Sequence, residues 1–334
     1  MEFKKHIRLI DGEGGRATTR LIKELFIHRF NNPILSELCD SASMELGREK
    51  ISFTTDAFVV DPSKFPGGDI GKLSICGTVN DLAALGAKPI MIAAAFILEE
   101  GLALIDLEHY VDSMALAAKK SGVNIVAGDT KVVPKGKGDK IYITTSGVGL
   151  IKDFPRMPAL IQPGDSLVIS GDIARHAASV VAAREGLLGD PPIESDCAPL
   201  WNMVKEAVDK VPQIHAMRDP TRGGLGGILN ELASQSGNRF VVNESDIPIL
   251  PQIYNMCELF GYEPLFMACE GRMLFIVQSE YASDLINVLK SHAEGTNSAI
   301  IGHVEKGEGV VLRTPSGGKR LLIEPEGAPL PRIC

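Results

Sequence analysis

The chain has 334 residues, 45% of them hydrophobic and 23% charged, an ordinary globular composition with apolar surface enough for two domain-sized cores. A formal net charge of -8 with no strongly basic stretch argues against nucleic acid, whose phosphates need clustered Lys and Arg. The longest apolar run, residues 89–98, is about half of what a membrane-spanning helix needs. The N-terminus lacks an apolar core of signal-peptide length, so a cytoplasmic protein without membrane contact is expected.

In chain order, strand-like and helical runs alternate. Residues 51–60 read as a strand and 74–86 as a largely apolar helix. Residues 89–98 form a buried strand. Residues 106–121 form an amphipathic helix with Leu107, Tyr110, Val111, Met114 and Leu116 inward, and 141–150 another strand. Asp153-Phe154-Pro155-Arg156 opens a linker that ends at Pro163-Gly164-Asp165. Beyond it, 166–170 and 273–277 read as strands, and 196–211, 223–236 and 280–291 as helices. The pattern predicts an α/β (α+β) chain in two halves: 1–155, 156–323, then a tail at 324–334.

That tail, Glu324-Pro325-Glu326-Gly327-Ala328-Pro329-Leu330-Pro331-Arg332-Ile333-Cys334, has neither helical nor strand period. Its three prolines favour an extended path, and at ~3 Å per residue its reach is roughly 30 Å, from a domain face into a cleft. Of six cysteines, none stands in a Cys-x-x-Cys pair, so a zinc site or redox dithiol is not indicated. Most fit as small buried apolar residues in a reducing compartment, but a terminal cysteine does not.

The stretch Gly67-Gly68-Asp69-Ile70-Gly71-Lys72-Leu73-Ser74 is not a P-loop, because Pro66 and Leu73 occupy positions that need Gly and Ser/Thr. More informative are Asp56 within a strand, Asn80-Asp81 in an apolar helix, Asp129 after a strand, and Asp219 before Gly223-Gly224. Carboxylates in such places suit Mg²⁺ shared with substrate phosphates, and a glycine turn opening a helix offers phosphate its N–H groups. Taken singly, each aspartate is equally explained as a turn residue, a cap or a buried pair.

Several segments together resemble one family. They are Gly12-Glu13-Gly14-Gly15, Phe65-Pro66-Gly67-Gly68-Asp69-Ile70-Gly71, Gly77-Thr78-Val79-Asn80-Asp81-Leu82 and Gly128-Asp129-Thr130-Lys131. Gly86-Ala87-x-Pro89, Asp219-x-Thr221-Arg222-Gly223-Gly224 and the closing Pro331-Arg332-Ile333-Cys334 complete the set. The chain resembles the hydrogenase maturation factor HypE, within a group that includes aminoimidazole ribonucleotide synthetase, selenophosphate synthetase and thiamine-phosphate kinase.

The resemblance implies a two-domain aminoimidazole ribonucleotide synthetase-like fold, a homodimer with a β-barrel built from the N-terminal domains, and a flexible tail. It implies a carbamoyltransferase of HypF type that loads a carbamoyl group onto Cys334, and ATP-dependent dehydration of that group to a thiocyanate. It further implies delivery of cyanide to iron on a HypC–HypD-type scaffold. ATP and Mg²⁺ are the expected cofactors. The residues expected at the nucleotide are Asp56, Lys72, Asn80, Asp81, Gly128, Asp129, Thr130, Lys131, Asp219, Thr221, Arg222, Gly223 and Gly224. Asp56, Asp81, Asp129 and Asp219 are expected on the metal.

Glu270 falls where the family has Asn-Glu-Gly-Lys and is the candidate base for the nitrogen proton. His176 falls where the family has Ser-Gly-Thr, an aliphatic residue, then Gly-Asp-His-Gly, but Arg175 and Ala177 replace an Asp and a Gly. With Cys334, these two form the candidate catalytic set. Two rival readings remain at this point: a related selenophosphate synthetase or thiamine-phosphate-type kinase, and a nucleotide-binding carrier of the thiol that does no chemistry.

Overall fold

A computed structural model describes residues 11, 15–30, 33–153, 156–327, 330 and 332–334. Gly12-Glu13-Gly14, Phe154-Pro155 of the linker, and Ala328, Pro329 and Pro331 of the tail lie outside the described residues, as does the N-terminus read for an export signal.

The chain opens with α1 (Gly15–Leu21), a π-helical segment (Ile22–Ile27) and α2 (His28–Phe30). Then come β1 (Ala42–Leu46), β2 (Glu49–Phe58) and a short hairpin of β3 (Lys64–Phe65) and β4 (Gly68–Asp69). The N-terminal half continues with α3 (Ile70–Ala84), β5 (Ala87–Glu99), α4 (Leu104–Ser121), β6 (Asn124–Val133) and β7 (Ile141–Ile151). Its sheet runs β1-β2-β7-β5-β6, antiparallel except for β5 with β6. Asp69 caps α3 by accepting the N–H of Gly71 at 2.8 Å and of Lys72 at 3.0 Å, supplying partners that a helix start otherwise lacks.

Helix α3 is buried nearly all round, between the first sheet and the second half of the chain, as its apolar sequence requires. In α4, Tyr110 and Met114 turn inward as expected, but Val111 and Leu116 are exposed. Ala117, Ala118 and Ser121 continue the buried stripe at helical spacing instead.

The second half contains β8 (Asp165–Ile169), α5 (Arg175–Arg184), α6 (Trp201–Lys210), β9 (Ile214–Arg218), α7 (Gly224–Ser236) and β10 (Arg239–Asn243). It ends with α8 (Pro251–Phe260), β11 (Leu274–Gln278), α9 (Ala282–Lys290), β12 (Ala299–Glu305), β13 (Val310–Arg313) and β14 (Lys319–Leu321). The sheet order is β14-β13-β10-β12-β8-β11-β9. Its central β8 is buried on both faces, and so is all of β11 but its last residue, hence their unbroken apolar runs. The helix expected from residue 196 begins only at Trp201. Before it, the backbone bonds across to the first half: Ser195 N–H to the Pro66 carbonyl at 2.8 Å, Leu200 N–H to Asn80 Oδ1 at 2.8 Å. No helix among the described residues is long and apolar enough to cross a membrane.

The tail is docked. Its root is held by α1, where Arg16 and Ala17 donate N–H groups to the carbonyls of Pro325 and Glu326. Near its end Leu330 and Ile333 are buried, and residues 332–334 lie docked in the cleft between the halves.

Candidate functional site

Strand β2 carries Asp56, α3 carries Asp81, and the turn after β9 carries Asp219. The carboxylates of Asp81 and Asp219 meet that of Asp40, from the segment before β1, with oxygens all within 4.8 Å of one another. Asp56 lines the same cavity as Asp81, and Thr54 Oγ1 donates to Asp81 Oδ2 at 2.6 Å. Arg218 partly balances this charge, with Nε 2.6 Å from Asp40 and Nη2 2.8 Å from Glu231.

Burial pushes all four carboxyls up, and their mutual repulsion pushes Asp81 further. Asp219 is raised to about 6, and its Oδ2 is buried with no hydrogen-bond partner. An excess of hard oxygen donors, with one orphaned, fits a divalent cation such as Mg²⁺. Asp40 was not anticipated from the sequence, since no spacing rule ties it to residues so remote along the chain.

Asp129 does not join this group. It lies within β6, not after a strand, opposite Ala95 of β5, which faces Thr144 of β7 and then Ala57 of β2. That is three strand spacings from β2, about 14 Å. Ala57 lies on the open face of the sheet, whereas Asp56 shares the helix-covered face with Phe58. Alternation along the strand therefore turns Asp129 away from Asp56. It is exposed and pairs with Lys131 at 2.6 Å, and its Oδ1 accepts the Thr130 N–H. A Cβ at Gly128 would stand 2.5 Å from the Ala94 carbonyl oxygen, so this glycine lets β6 approach β5.

At the start of α7, Gly223 and Gly224 have φ of +84° and +60°. A Cβ on Gly224 would lie 2.7 Å from two backbone carbonyl oxygens, so only glycine fits this turn. The first turn of α7 carries no acidic residue and no side-chain cap, leaving its N-terminal end suited to phosphate. Thr221 and Arg222 lie just ahead. The acidic groups around it, Cys334 first and then Asp56, Glu270 and Asp81, favour the charged guanidinium and raise the Arg222 pKa.

Cys334 reaches this group. Its thiol lies with the buried Glu270, Asp56, Asp81, Thr221 and Arg222 around a cavity of about 40 Å³. Burial, then the Glu270 charge, holds the docked thiol well above its ordinary pKa, so it is not a thiolate there. Glu270 is itself raised well above the ordinary range, by burial first and then by Asp219, Asp196 and Asp56. Its Oε1 has no hydrogen-bond partner.

Three expected site residues have other duties. Asn80 spends its side chain on the second half of the chain, donating to the carbonyls of Ala198 and Glu270 and accepting from Leu200. It is a strut between the halves that fixes the Glu270 backbone. Lys72 Nζ donates to the Gly67 carbonyl at 2.8 Å, on the hairpin rather than in the acidic group. His176 contacts the Ile333 carbonyl, one residue short of the thiol, and so holds the tail without touching the reacting atoms.

The departures from the family pattern near His176 prove to be neighbours. Asp172 stands where the pattern has Thr, and it accepts from Arg272 Nη2 at 3.2 Å and lies 3.5 Å from Arg175 Nε. Cys269 Sγ, where the pattern has Asn, accepts the Ala174 N–H at 3.2 Å. Ala174 occupies a glycine position at φ +70°, a strained choice. Arg272 also donates to the Gly271 carbonyl, clamping the turn that follows Glu270. Asp172 and Arg175, which depart from the pattern, thus face each other as an ion pair.

Two mixed sheets with an acid-lined cleft between them define an AIR synthase related protein. The N-terminal domain model of that class matches residues 39–151, and the C-terminal domain model matches 162–314. The chain is 43% identical over 331 residues to carbamoyl dehydratase HypE of Azotobacter vinelandii, covering 98% of this chain and 97% of that one. A solved HypE–HypF complex superposes with TM-score 0.87 at 42% identity, covering 91% of this chain and 99% of its counterpart. A HypE solved in complex with ATP gives 0.83 at 42% identity, covering 98% and 100%. The chain belongs to the carbamoyl dehydratase HypE family.

Proposed function

We propose that this protein uses ATP to dehydrate an S-carbamoyl group on Cys334 to an S-cyano group, supplying the cyanide ligand of a [NiFe] hydrogenase iron. The observation that carries this reading is the Cys334 thiol seated on buried Glu270, beside the acidic group, with a cavity of about 40 Å³ around it. That space suits a carbamoyl group of three heavy atoms, since one water needs only ~10–15 Å³ measured this way.

The carbamoyl oxygen attacks the γ-phosphorus of ATP, ADP departs, and one nitrogen proton is lost. Glu270 then removes the second nitrogen proton. The electron pair closes the carbon–nitrogen triple bond while the carbon–oxygen bond breaks and phosphate leaves. A carboxylate whose pKa is raised by burial is the stronger base this step needs. Asp40, Asp81 and Asp219, with Asp56 behind them, would hold Mg²⁺, which when bound offsets phosphate charge. Arg222 and the α7 N-terminus orient the phosphates.

Loading belongs to a different tail position. The docked thiol is held protonated, so a HypF-type carbamoyltransferase receives Cys334 with the tail swung out, which makes the tail a mobile carrier. A HypC–HypD-type scaffold accepts the cyanide afterwards. A homodimer is supported by Phe53, Met91, Ile97 and Leu150, which leave the open face of the first sheet apolar and exposed. In such a dimer Gly128–Lys131 serves the partner's nucleotide.

Intact-protein mass spectrometry tests the reaction. After incubation with the carbamoyltransferase, carbamoyl phosphate and ATP-Mg²⁺, a carbamoyl mass gain that then falls by one water is expected, and neither change with Cys334→Ala. A carbamoyl adduct that never loses water would leave a carrier and defeat the dehydratase reading.

A further inference from the structure

We propose that His176 is a latch for the tail, a positioning residue that sets how long Cys334 stays docked on Glu270. The proposal rests on the dehydratase reading for its role in turnover and on the geometry for its existence.

The His176 ring is fully buried, with Nε2 2.8 Å from the Ile333 carbonyl oxygen and Nδ1 2.8 Å from Ser195 Oγ. Ser195 Oγ accepts the Cys197 N–H at 3.0 Å, so its hydroxyl proton is free to point at Nδ1. That assigns the neutral tautomer, with the proton on Nε2 donated to the tail. Burial favours the same neutral form. The ring is braced by the Phe65 edge at a centroid distance of 5.1 Å. Ser195 is fixed by its N–H bond to Pro66 and by Gly67, whose φ is +86° and whose Cβ would stand 2.7 Å from the Ser195 nitrogen. The latch is thus built into the contact between the hairpin and the second half of the chain, and the tail enters a preformed slot.

A second grip sits one residue earlier. The Arg332 carbonyl accepts the Asp61 N–H at 3.1 Å and Arg184 Nη2 at 2.8 Å, while its guanidinium pairs with Asp139 and Asp61. Arg332 sits at φ +57°, a left-handed conformation that a non-glycine residue adopts at a cost. The docked tail therefore works against its own backbone and depends on these bonds. Losing either one shifts the balance toward release, which a tail that must visit another enzyme requires.

The test measures docking and turnover separately. Iodoacetamide labelling at Cys334, followed by peptide mass spectrometry on the full-length protein, reports the undocked fraction. His176→Leu is expected to speed labelling about tenfold, the worth of one buried hydrogen bond. Carbamoyl loading should be undiminished while water loss from the adduct slows by a similar factor. His176→Gln, whose amide N–H can replace Nε2–H, should recover much of both. Should His176→Leu fail to fold, Ser195→Ala replaces it, with labelling threefold to fivefold faster. Unchanged labelling in the folded variants overturns the latch. A wild-type adduct that never loses water overturns the dehydratase reading instead, and the labelling arm still decides the latch.

Discussion

Asp56, Asp81 and Asp219, which Asp40 joins in the fold, and the Gly128–Lys131 strip carry the same kind of sequence signal, yet they end in opposite surroundings. The first is buried, its carboxyls raised by burial and mutual repulsion, with one oxygen unpartnered. The second lies exposed on an edge strand, where Asp129 is lowered by its own Lys131. A buried acid cluster is an unfavourable arrangement waiting for a cation, whereas an exposed ion pair is nearly neutral in energy. One chain therefore holds one of its aspartate-bearing segments under electrostatic strain and presents the other outward.

The sharpest way to break this contrast is complementation. Asp81→Ala and Asp129→Ala are each expected to cut ATP turnover at least 100-fold. In mixed dimers, one of the two sites would carry neither change, and turnover should return to an appreciable fraction of wild type. If both residues act on the nucleotide of their own chain, mixing restores nothing.

A smaller effect concerns stability. A carboxyl whose folded pKa is raised binds its proton more tightly when folded, so stability is lost as pH rises from the unfolded to the folded value. For Asp219 that window runs from 3.8 to about 6. Asp219→Asn should flatten the thermal stability profile in that window. At pH 7 it should raise the melting temperature by about 1–2 °C, as loss of ~1 kcal/mol of repulsion in a chain of this size implies. A lower melting temperature at pH 7 would mean that the cluster stabilises the fold. The least effect belongs to Lys131→Ala, expected to leave the urea-unfolding midpoint unchanged, because both partners of its ion pair are exposed.

Much of this was legible in the chain. The periodicities placed β2, α3, β5, α4 and β7 within a few residues of their bounds. Glycine at Gly223-Gly224 marked a phosphate-suited turn, and Pro331-Arg332-Ile333-Cys334 marked the tail as the reacting end. The late start of the helix expected from residue 196 was not legible, because Ser195 and Leu200 give their N–H groups to the first half of the chain and Ala198 gives its own to the Glu270 carbonyl. Val111 and Leu116 read as inward from the sequence but are exposed, because hydrophobicity alone does not say which stripe of α4 a neighbour will cover.

The sequence by itself determined the residue types, the local elements and the family, since these depend on near-neighbour spacing and on motifs that survive as short strings. Only the tertiary structure decided that Asp40 replaces Asp129 in the acidic group, that Asn80 is a strut, and that His176 grips Ile333 across 157 positions of chain. The reason is physical: strand alternation and close approach between distant segments set which side chains share a cavity, and burial sets the protonation of those that do.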